Sequence, residues 1–259
     1  RYVWLPVGGG CDNRRGGHLM HEFLQRHARV ALSLSGGKDS LACLHLFKPY
    51  WDQLTVYWLN TGDAFPETIK FMRQVRDTVP RFREVRGPRD EVVAADGWPS
   101  DVVPQGHTSD GNAVFGATPF KVQTRLQCCI RSRMTPLYRA MLGDGVTCVI
   151  RGKRSEEDDK SGLASGYVTP DGLELQFPIL SWTSADVRSY LASVGVSLPL
   201  YYKHGDHSVD CMHCTAYWGN GHAKYLAAEH PQAYTEYARR IRLIKTAVAN
   251  QMAACEVGD

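Results

Sequence analysis

The stretch Val30-Ala31-Leu32-Ser33-Leu34-Ser35-Gly36-Gly37-Lys38-Asp39-Ser40 decides the fold. Its first five residues form a short apolar run of the kind a buried strand makes, bounded by the glycines at 36 and 37. From Leu41 to Phe47 the apolar residues continue at helical spacing. A strand that ends on glycines and turns into a helix points backbone N–H groups, and the positive end of the helix dipole, at an anion. Lys38 can neutralise a phosphate there, Ser35 and Ser40 add short donors, and Asp39 can cap the helix or help hold a metal ion. A bare Gly-Gly would read as a capped turn, whereas the full hexapeptide in this context reads as phosphate binding. The spacing is not that of the Gly-x4-Gly-Lys-Ser/Thr loop, which argues against kinase or GTPase chemistry.

Working outward, Leu54 to Leu59 predicts a second strand that ends at the turn Asn60-Thr61-Gly62-Asp63. Pro66 suits the first turn of a helix running to about Asp77, and Phe82 to Val85 predicts a third strand. From Gly87 to Pro119 the periodicity fails, which predicts a long loop that is functional or partly disordered. A helix from about Gln127 to Leu142 and strands at Val146–Ile150 and Glu174–Phe177 follow, then a helix capped by Thr183 or Ser184 and running to about Val194, and a last helix from Pro231 to about Val248. His18 to His27 reads as a helix ahead of the first strand. Strands alternating with helices imply βαβ units. The expected fold is therefore α/β, a doubly wound, mostly parallel, Rossmann-like sheet. A single domain over residues 1–259 is expected, with a helical C-terminal lobe from about 183 to 259.

The 259 residues, 43% hydrophobic and 22% charged, suit one large globular α/β domain. No apolar run approaches the roughly 20 residues that span a bilayer. The start, Arg1-Tyr2-Val3-Trp4-Leu5-Pro6, lacks a charged segment followed by an apolar one. A cytoplasmic location with no membrane partner is expected. A net charge of +3, from 30 Lys and Arg against 27 Asp and Glu, is too mild to argue for nucleic acid by itself. Basic residues do gather at Arg125–Arg139 and Arg151–Arg154, and these clusters suit a small polyanion. The second of them follows a strand, where open α/β sheets bind ligands, so Arg154 is a candidate for phosphate or sulfate. The bland reading of that segment is a solvated loop with Glu156 to Lys160 on its surface.

Of the eight cysteines, Cys43 and Cys148 sit in apolar runs and read as core. Cys211-Met212-His213-Cys214 can bite one metal centre from a single turn, and Cys128-Cys129 can supply two further thiolates. An iron–sulfur cluster and a zinc ion satisfy the same count, and a redox dithiol satisfies half of it. Tyr201-Tyr202 and Tyr217-Trp218 read as packing residues, and His204, His207, His213 and His222 carry no assigned role.

Ser35 to Ser40 resembles the pyrophosphate loop of the N-type ATP pyrophosphatases, or adenine nucleotide α-hydrolases. That family has a doubly wound α/β fold, and many members cleave ATP between its α and β phosphates. Asn60-Thr61-Gly62-Asp63-Ala64-Phe65-Pro66-Glu67-Thr68 resembles the Asp-Thr-Gly-x-x-Phe-Pro-Glu-Thr signature of the phosphoadenylyl-sulfate reductase branch. Asn60 stands where the branch has Asp, which makes Asp63 a substitute carboxylate or a turn cap. Cys128 to Leu137 resembles the Cys-Cys-x-x-Arg-Lys-x-x-Pro-Leu segment of adenylyl-sulfate reductases that carry a 4Fe–4S cluster, with Ser132 and Arg133 in the Arg and Lys places. Asp210 to Thr215 is similar to their Gly-Cys-x-Pro-Cys-Thr, and Gln176 to Leu191 to a further segment. Gly152 and Arg154 match a Gly-x-Arg segment, so the likeness runs from about residue 30 to 216.

The resemblance implies an adenine nucleotide, ATP or adenylyl sulfate, held by Ser35, Gly36, Gly37, Lys38, Asp39, Ser40, Thr61, Gly62, Gly152 and Arg154 with Mg²⁺. It implies a 4Fe–4S cluster on Cys128, Cys129, Cys211 and Cys214. Two departures shape the expected chemistry. Assimilatory reductases end in Glu-Cys-Gly-Leu-His, whereas this sequence ends Ala254-Cys255-Glu256-Val257-Gly258-Asp259. Those reductases also have a degraded loop, and here it is intact. The expectation is an AMP-forming ATP pyrophosphatase acting in sulfur transfer, such as thiolation or phosphorothioation of a nucleic acid. Lys38, Asp39, Asp63 and Cys255 are its catalytic candidates, and a cysteine desulfurase is its candidate sulfur donor. The alternatives are a reductase that produces sulfite through Cys255 with a thioredoxin-type reductant, and a non-catalytic nucleotide- and cluster-binding subunit.

Overall fold

The computed structural model describes residues 24–157, 163–206, 208–219 and 221–254. In chain order the elements are β1 (Val30–Ser33), α1 (Lys38–Leu46), β2 (Leu54–Asn60), α2 (Pro66–Thr78) and β3 (Phe82–Arg86). Next come α3 (Arg89–Asp96), β4 (Trp98–Ser100), α4 (Ser109–Phe115), β5 (Val122–Thr124), α5 (Arg125–Cys129) and α6 (Thr135–Gly143). The chain continues through β6 (Cys148–Ile150), β7 (Tyr167–Val168), β8 (Glu174–Gln176), α7 (Ser184–Ser193), α8 (His222–Glu229) and α9 (Pro231–Ala253). No helix among the described residues is long and apolar enough to cross a membrane. The expected helix over residues 18–27 lies mostly outside the described residues.

The α/β expectation holds, with a mostly parallel sheet and helices closing the chain. Six strands lie in the order β3-β2-β1-β6-β8-β7. β1 pairs in parallel with β2, Val30 opposite Leu54, and with β6, Val30 opposite Cys148. β6 pairs in parallel with β8, and only the short β7 runs antiparallel to its neighbour β8. Ala31, Leu32, Val56, Cys148 and Ile150 have no exposed surface, as a parallel strand covered on both faces requires. The chain leaves β1 for β2 on one side and reaches β6 on the other. Strand order therefore reverses at β1, and open sheets take ligands beyond the carboxyl ends of the strands at such a point.

The chain gathers into two compact units. One comprises residues up to Trp58, Gln74–Arg83 and Met141–Leu198, and contains β1, α1, β6, β8 and α7. The other comprises Leu59–Arg73, Glu84–Ala140 and the chain from Pro199 onward. Its core gathers Phe65, Tyr201, Val209, Cys214, Ala216, Tyr225, Leu226, Ala233 and Tyr237.

The structure departs from the expected elements between residues 87 and 119. The predicted long loop contains α3, a two-stranded parallel sheet of β4 and β5, and α4. These elements are too short to show periodicity and are held by contacts distant in sequence. The Gln123 side chain donates to the carbonyls of Gly97 and Val92 at 2.7 and 3.3 Å, and Trp98 stacks on Phe120 with ring centroids 5.2 Å apart. The helix expected over 127–142 is present as a continuous helical run of α5, a π turn at Ile130–Met134 and α6. A Thr124–Gln127 capping box starts it earlier than expected.

Gly152, just after β6, shows how closely the strand ends approach. A Cβ there would lie 2.5 Å from the Asp39 carbonyl carbon and 2.6 Å from the Ser40 nitrogen, both backbone atoms at the start of α1. Backbone on both sides leaves nothing flexible to give way. Gly152→Ala is expected to lower stability by about 1–3 kcal/mol through overpacking, read from urea denaturation. An unchanged midpoint would mean that the approach is looser than described.

Candidate functional site

The first unit carries the turn from β1 into α1 that was expected to bind phosphate. Gly36 has φ of 86°, in the left-handed region where a side chain would be strained, and it turns the chain into α1. The turn is closed by its own hydroxyls. Ser40 Oγ donates to the Gly37 carbonyl at 2.9 Å and accepts from the Ser35 N–H at 3.2 Å, and the Gly37 N–H donates to Ser35 Oγ at 3.3 Å. Lys38 is 1% exposed and Arg154 4% exposed, and one carboxylate serves both. Lys38 Nζ lies 2.7 Å from Asp39 Oδ2, and Arg154 Nε lies 2.7 Å from Asp39 Oδ1. Arg154 Nη1 also donates to Glu156 Oε2 at 2.8 Å, and that oxygen accepts the Ser184 N–H at the start of α7 at 3.0 Å.

The second unit carries a thiol pocket. Cys128, Cys129, Cys211 and Cys214 line one cavity together with Arg89, Pro99, Ser132, Arg133, Asp210 and Tyr217. Cys128 and Cys129 end α5, immediately before the π turn, a device that often marks functional sites because it re-aims side chains. Ser132 Oγ donates to the Cys128 carbonyl at 2.6 Å, and Arg133 Nη1 approaches Cys129 Sγ at 4.0 Å. Arg133 Nη2 pairs with Asp210 at 2.7 Å. Cys211 and Cys214 close a tight turn, the Cys214 N–H donating to the Cys211 carbonyl at 3.2 Å.

That turn hangs on Asp63, whose side chain is 9% exposed. Its backbone carbonyl accepts the Met212 N–H at 2.7 Å, Oδ2 accepts the His213 N–H at 2.9 Å, and Oδ1 lies 2.6 Å from His213 Nδ1. Arg89 Nη2, itself buried, lies 2.9 Å from Asp63 Oδ2 and reaches the His213 carbonyl at 3.5 Å. Burial works against the Arg89 charge, but Asp63 and Cys211 outweigh it and raise the arginine's pKa.

The sulfurs are costly neighbours for one another. Burial pushes the Cys211 thiol up to about 12, against the pull of a Thr61 hydrogen bond and the Arg89 charge. Burial, then the neighbouring Cys211, holds Cys214 well above its ordinary value, and burial, then Cys129, raises Cys128. Four thiols beside two arginines are a donor set that a multivalent metal centre fits, because coordination deprotonates a thiol outright. Among the described residues no three ligand-type side chains stand close enough to grip a single ion. The four sulfurs thus share a cavity without converging on one point.

The structure brings Ser35 to Ser40, Gly152 and Arg154 together in the first unit, and the four cysteines together in the second. Thr61 and Gly62, expected at a nucleotide, lie in the second unit with Asp63, and Thr61 hydrogen-bonds Cys211. Cys255 lies outside the described residues. Sequence reasoning missed Arg89, because a single arginine in an aperiodic stretch carries no local signal. It also passed over Glu156, read as a solvated surface charge, which joins Arg154 to the start of α7.

The phosphoadenosine phosphosulfate reductase domain model matches residues 29–217. The chain is 27% identical over 217 residues to sulfate adenylyltransferase subunit 2 of Streptomyces lavendulae, covering 72% of this chain and 60% of that protein. It therefore spans less than two thirds of that relative's length. It is 25% identical over 194 residues to phosphoadenosine 5′-phosphosulfate reductase of Gloeobacter violaceus, covering 73% of this chain and 72% of the relative. In fold it is similar to the crystal structure of phosphoadenylyl-sulfate reductase from Candida auris in its phosphate complex. That likeness has a TM-score of 0.51 at 15% identity and covers 78% of this chain and 97% of the other.

Removing Arg89 strands a buried carboxylate. Arg89→Ala is expected to destabilise the protein by about 3–5 kcal/mol, the usual result of breaking one side of a buried pair. Arg89→Lys is expected to recover part of that loss. Denaturant titration measures both, and an Arg89→Ala loss below about 1 kcal/mol, within the range of an exposed ion pair, would place Asp63 in contact with solvent.

Proposed function

We propose that this chain, which belongs to the phosphoadenosine phosphosulfate reductase domain family, is an AMP-forming ATP pyrophosphatase in sulfur transfer, with a 4Fe–4S cluster on Cys128, Cys129, Cys211 and Cys214. One observation carries the reading: two buried cations, Lys38 and Arg154, share the Asp39 carboxylate at the turn from β1 into α1. A triphosphate brings oxygens that both cations can take in place of that carboxylate, through strong charge-assisted hydrogen bonds. The start of α1 adds its partial positive charge to the same place. Asp39, relieved of a cation, is the carboxylate in the seat suited to Mg²⁺, a hard ion that prefers carboxylate and phosphate oxygens.

In this reading an acceptor oxygen, for example on a nucleic acid, attacks the α-phosphorus. The bond to the bridging oxygen of the β-phosphate breaks, and pyrophosphate leaves with the charge. Lys38 and Arg154 offset the charge that grows on the phosphate oxygens. A sulfur nucleophile then displaces AMP from the adenylated acceptor. Likeness to a sulfate adenylyltransferase subunit supports an adenylyl-transfer step. A cluster on the four thiolates would supply a place to hold sulfur or pass electrons. Arg89 and Arg133 balance the thiolate charge, and Thr61 and Ser132 offer hydrogen bonds to the sulfurs.

The second reading is reduction of an adenylyl sulfate to sulfite, and likeness to the Gloeobacter reductase favours it. It needs a nucleophilic thiol that can reach the sulfate sulfur, for which Cys255 is the candidate.

Lys38→Ala is expected to weaken ATP binding or AMP formation by about ten- to hundredfold, the loss of one charged hydrogen bond worth roughly 1.5–3 kcal/mol. Nucleotide affinity by calorimetry and product analysis read both effects, and unchanged values would remove the loop from the reaction. Anaerobically purified protein is expected to be brown, with about four iron and four sulfide per chain. Cys211→Ser and Cys214→Ser are expected to lose the colour. Stoichiometric zinc without iron would contradict the cluster.

A further inference from the structure

We infer that Tyr217 is a shield over the thiol pocket, an aromatic ring that the fold holds against the four sulfurs to keep water and solutes from them. Among the described residues it is the one non-glycine residue with positive φ, at 62°. Bulky side chains rarely adopt that conformation, and when they do the surroundings over-determine it. Glycine would sit there without strain, so the ring is what the strained backbone delivers.

The surroundings do fix it. Ahead of it, Thr215 Oγ1 donates to the Pro99 carbonyl at 2.6 Å, and Ala216 is fully buried. Behind it, the Trp218 N–H donates to Asp101 Oδ2 at 2.8 Å, and Trp218 Nε1 donates to the Thr215 carbonyl at 2.7 Å. From the other side the Arg125 guanidinium lies over the Tyr217 ring, 4.6 Å from its centroid, and Arg125 pairs with Asp101 at 3.7 Å. Arg125 begins α5, the helix that ends on Cys128 and Cys129, whereas Tyr217 follows Cys214 by three residues. The cation–π contact therefore joins the two segments that deliver the sulfurs. Tyr217 lines the same cavity as all four cysteines, and its hydroxyl lies within electrostatic reach of Cys129 and Cys214.

The inference rests on the reading of the four cysteines as one site. Iron and sulfide content of the wild type tests that reading, whereas the shield is tested on the full chain stripped of metal under anaerobic, reducing conditions. The readout is the rate at which iodoacetamide labels each cysteine, resolved by peptide mass spectrometry. Tyr217→Phe keeps the ring and is expected to label at the wild-type rate. Tyr217→Gly relieves the strain but opens the pocket, so Cys129 and Cys211 are expected to label at least about tenfold faster, as for a group whose protective opening step is removed. Cys43, buried on α1, and Cys148, buried in β6, are expected to stay slow. Equal labelling of Tyr217→Gly and wild type would overturn the inference. So would equal acceleration in Tyr217→Phe, which would assign the effect to the hydroxyl, or parallel acceleration at Cys43 and Cys148, which would assign it to unfolding. If Tyr217→Gly does not fold, Arg125→Ala removes only the clamp on the ring. It is expected to speed labelling of Cys129, and an unchanged rate would likewise overturn the shield.

Discussion

One carboxylate between two buried cations is the interaction on which the first unit depends. Asp39 stands at the first turn of α1, with Lys38 beside it and Arg154 arriving from the end of β6. Charges with 1% and 4% exposure are tolerable only when paired and hydrogen-bonded. Their pairing fixes where the ends of two adjacent parallel strands stand, and Gly152 lets the backbones approach that closely. Two buried cations that share one carboxylate, with Glu156 as a second partner of Arg154, are placed to accept another anion. In that sense the constraint that organises this part of the fold also organises the proposed chemistry.

The second unit solves a related problem with the opposite sign. Four sulfurs line one pocket, and burial disfavours the charged form of Cys128, Cys211 and Cys214. Arg89 and Arg133 stand beside them, each committed to a carboxylate that positions it, Asp63 and Asp210 respectively. Asp63 does more than balance charge. With two backbone N–H groups and the His213 ring on it, this residue shapes the turn between Cys211 and Cys214. The pocket is thus lined by segments distant in sequence, those around Arg89, Pro99, Cys128 and Cys211, with Asp63 holding the last of them.

That dispersal explains which features were legible in the sequence. The run from Val30 to Ser40 announces strand, turn and helix in eleven consecutive residues, because apolar burial, glycine and helix start are all local signals. The parallel sheet follows from repetition of that pattern. The elements between Arg89 and Phe115 left no such trace, since a three-residue strand such as β4 exists through its pairing with β5 and the Gln123 amide rather than through periodicity. Arg89 is invisible for the same reason, since its meaning lies in Asp63, twenty-six residues earlier. Tyr217 carries an ordinary aromatic signal, and only the backbone angle distinguishes it from a packing residue.

The central claim is that the seat at the end of β1 performs adenylyl chemistry on ATP. It is tested most directly by giving anaerobically purified protein α-labelled ATP and, separately, sulfur-labelled adenylyl sulfate with a dithiol reductant, and resolving the products. The account predicts labelled AMP with pyrophosphate from ATP, and little labelled sulfite from adenylyl sulfate. Abundant labelled sulfite, with no AMP formed from ATP, would contradict it and assign the chain to reduction.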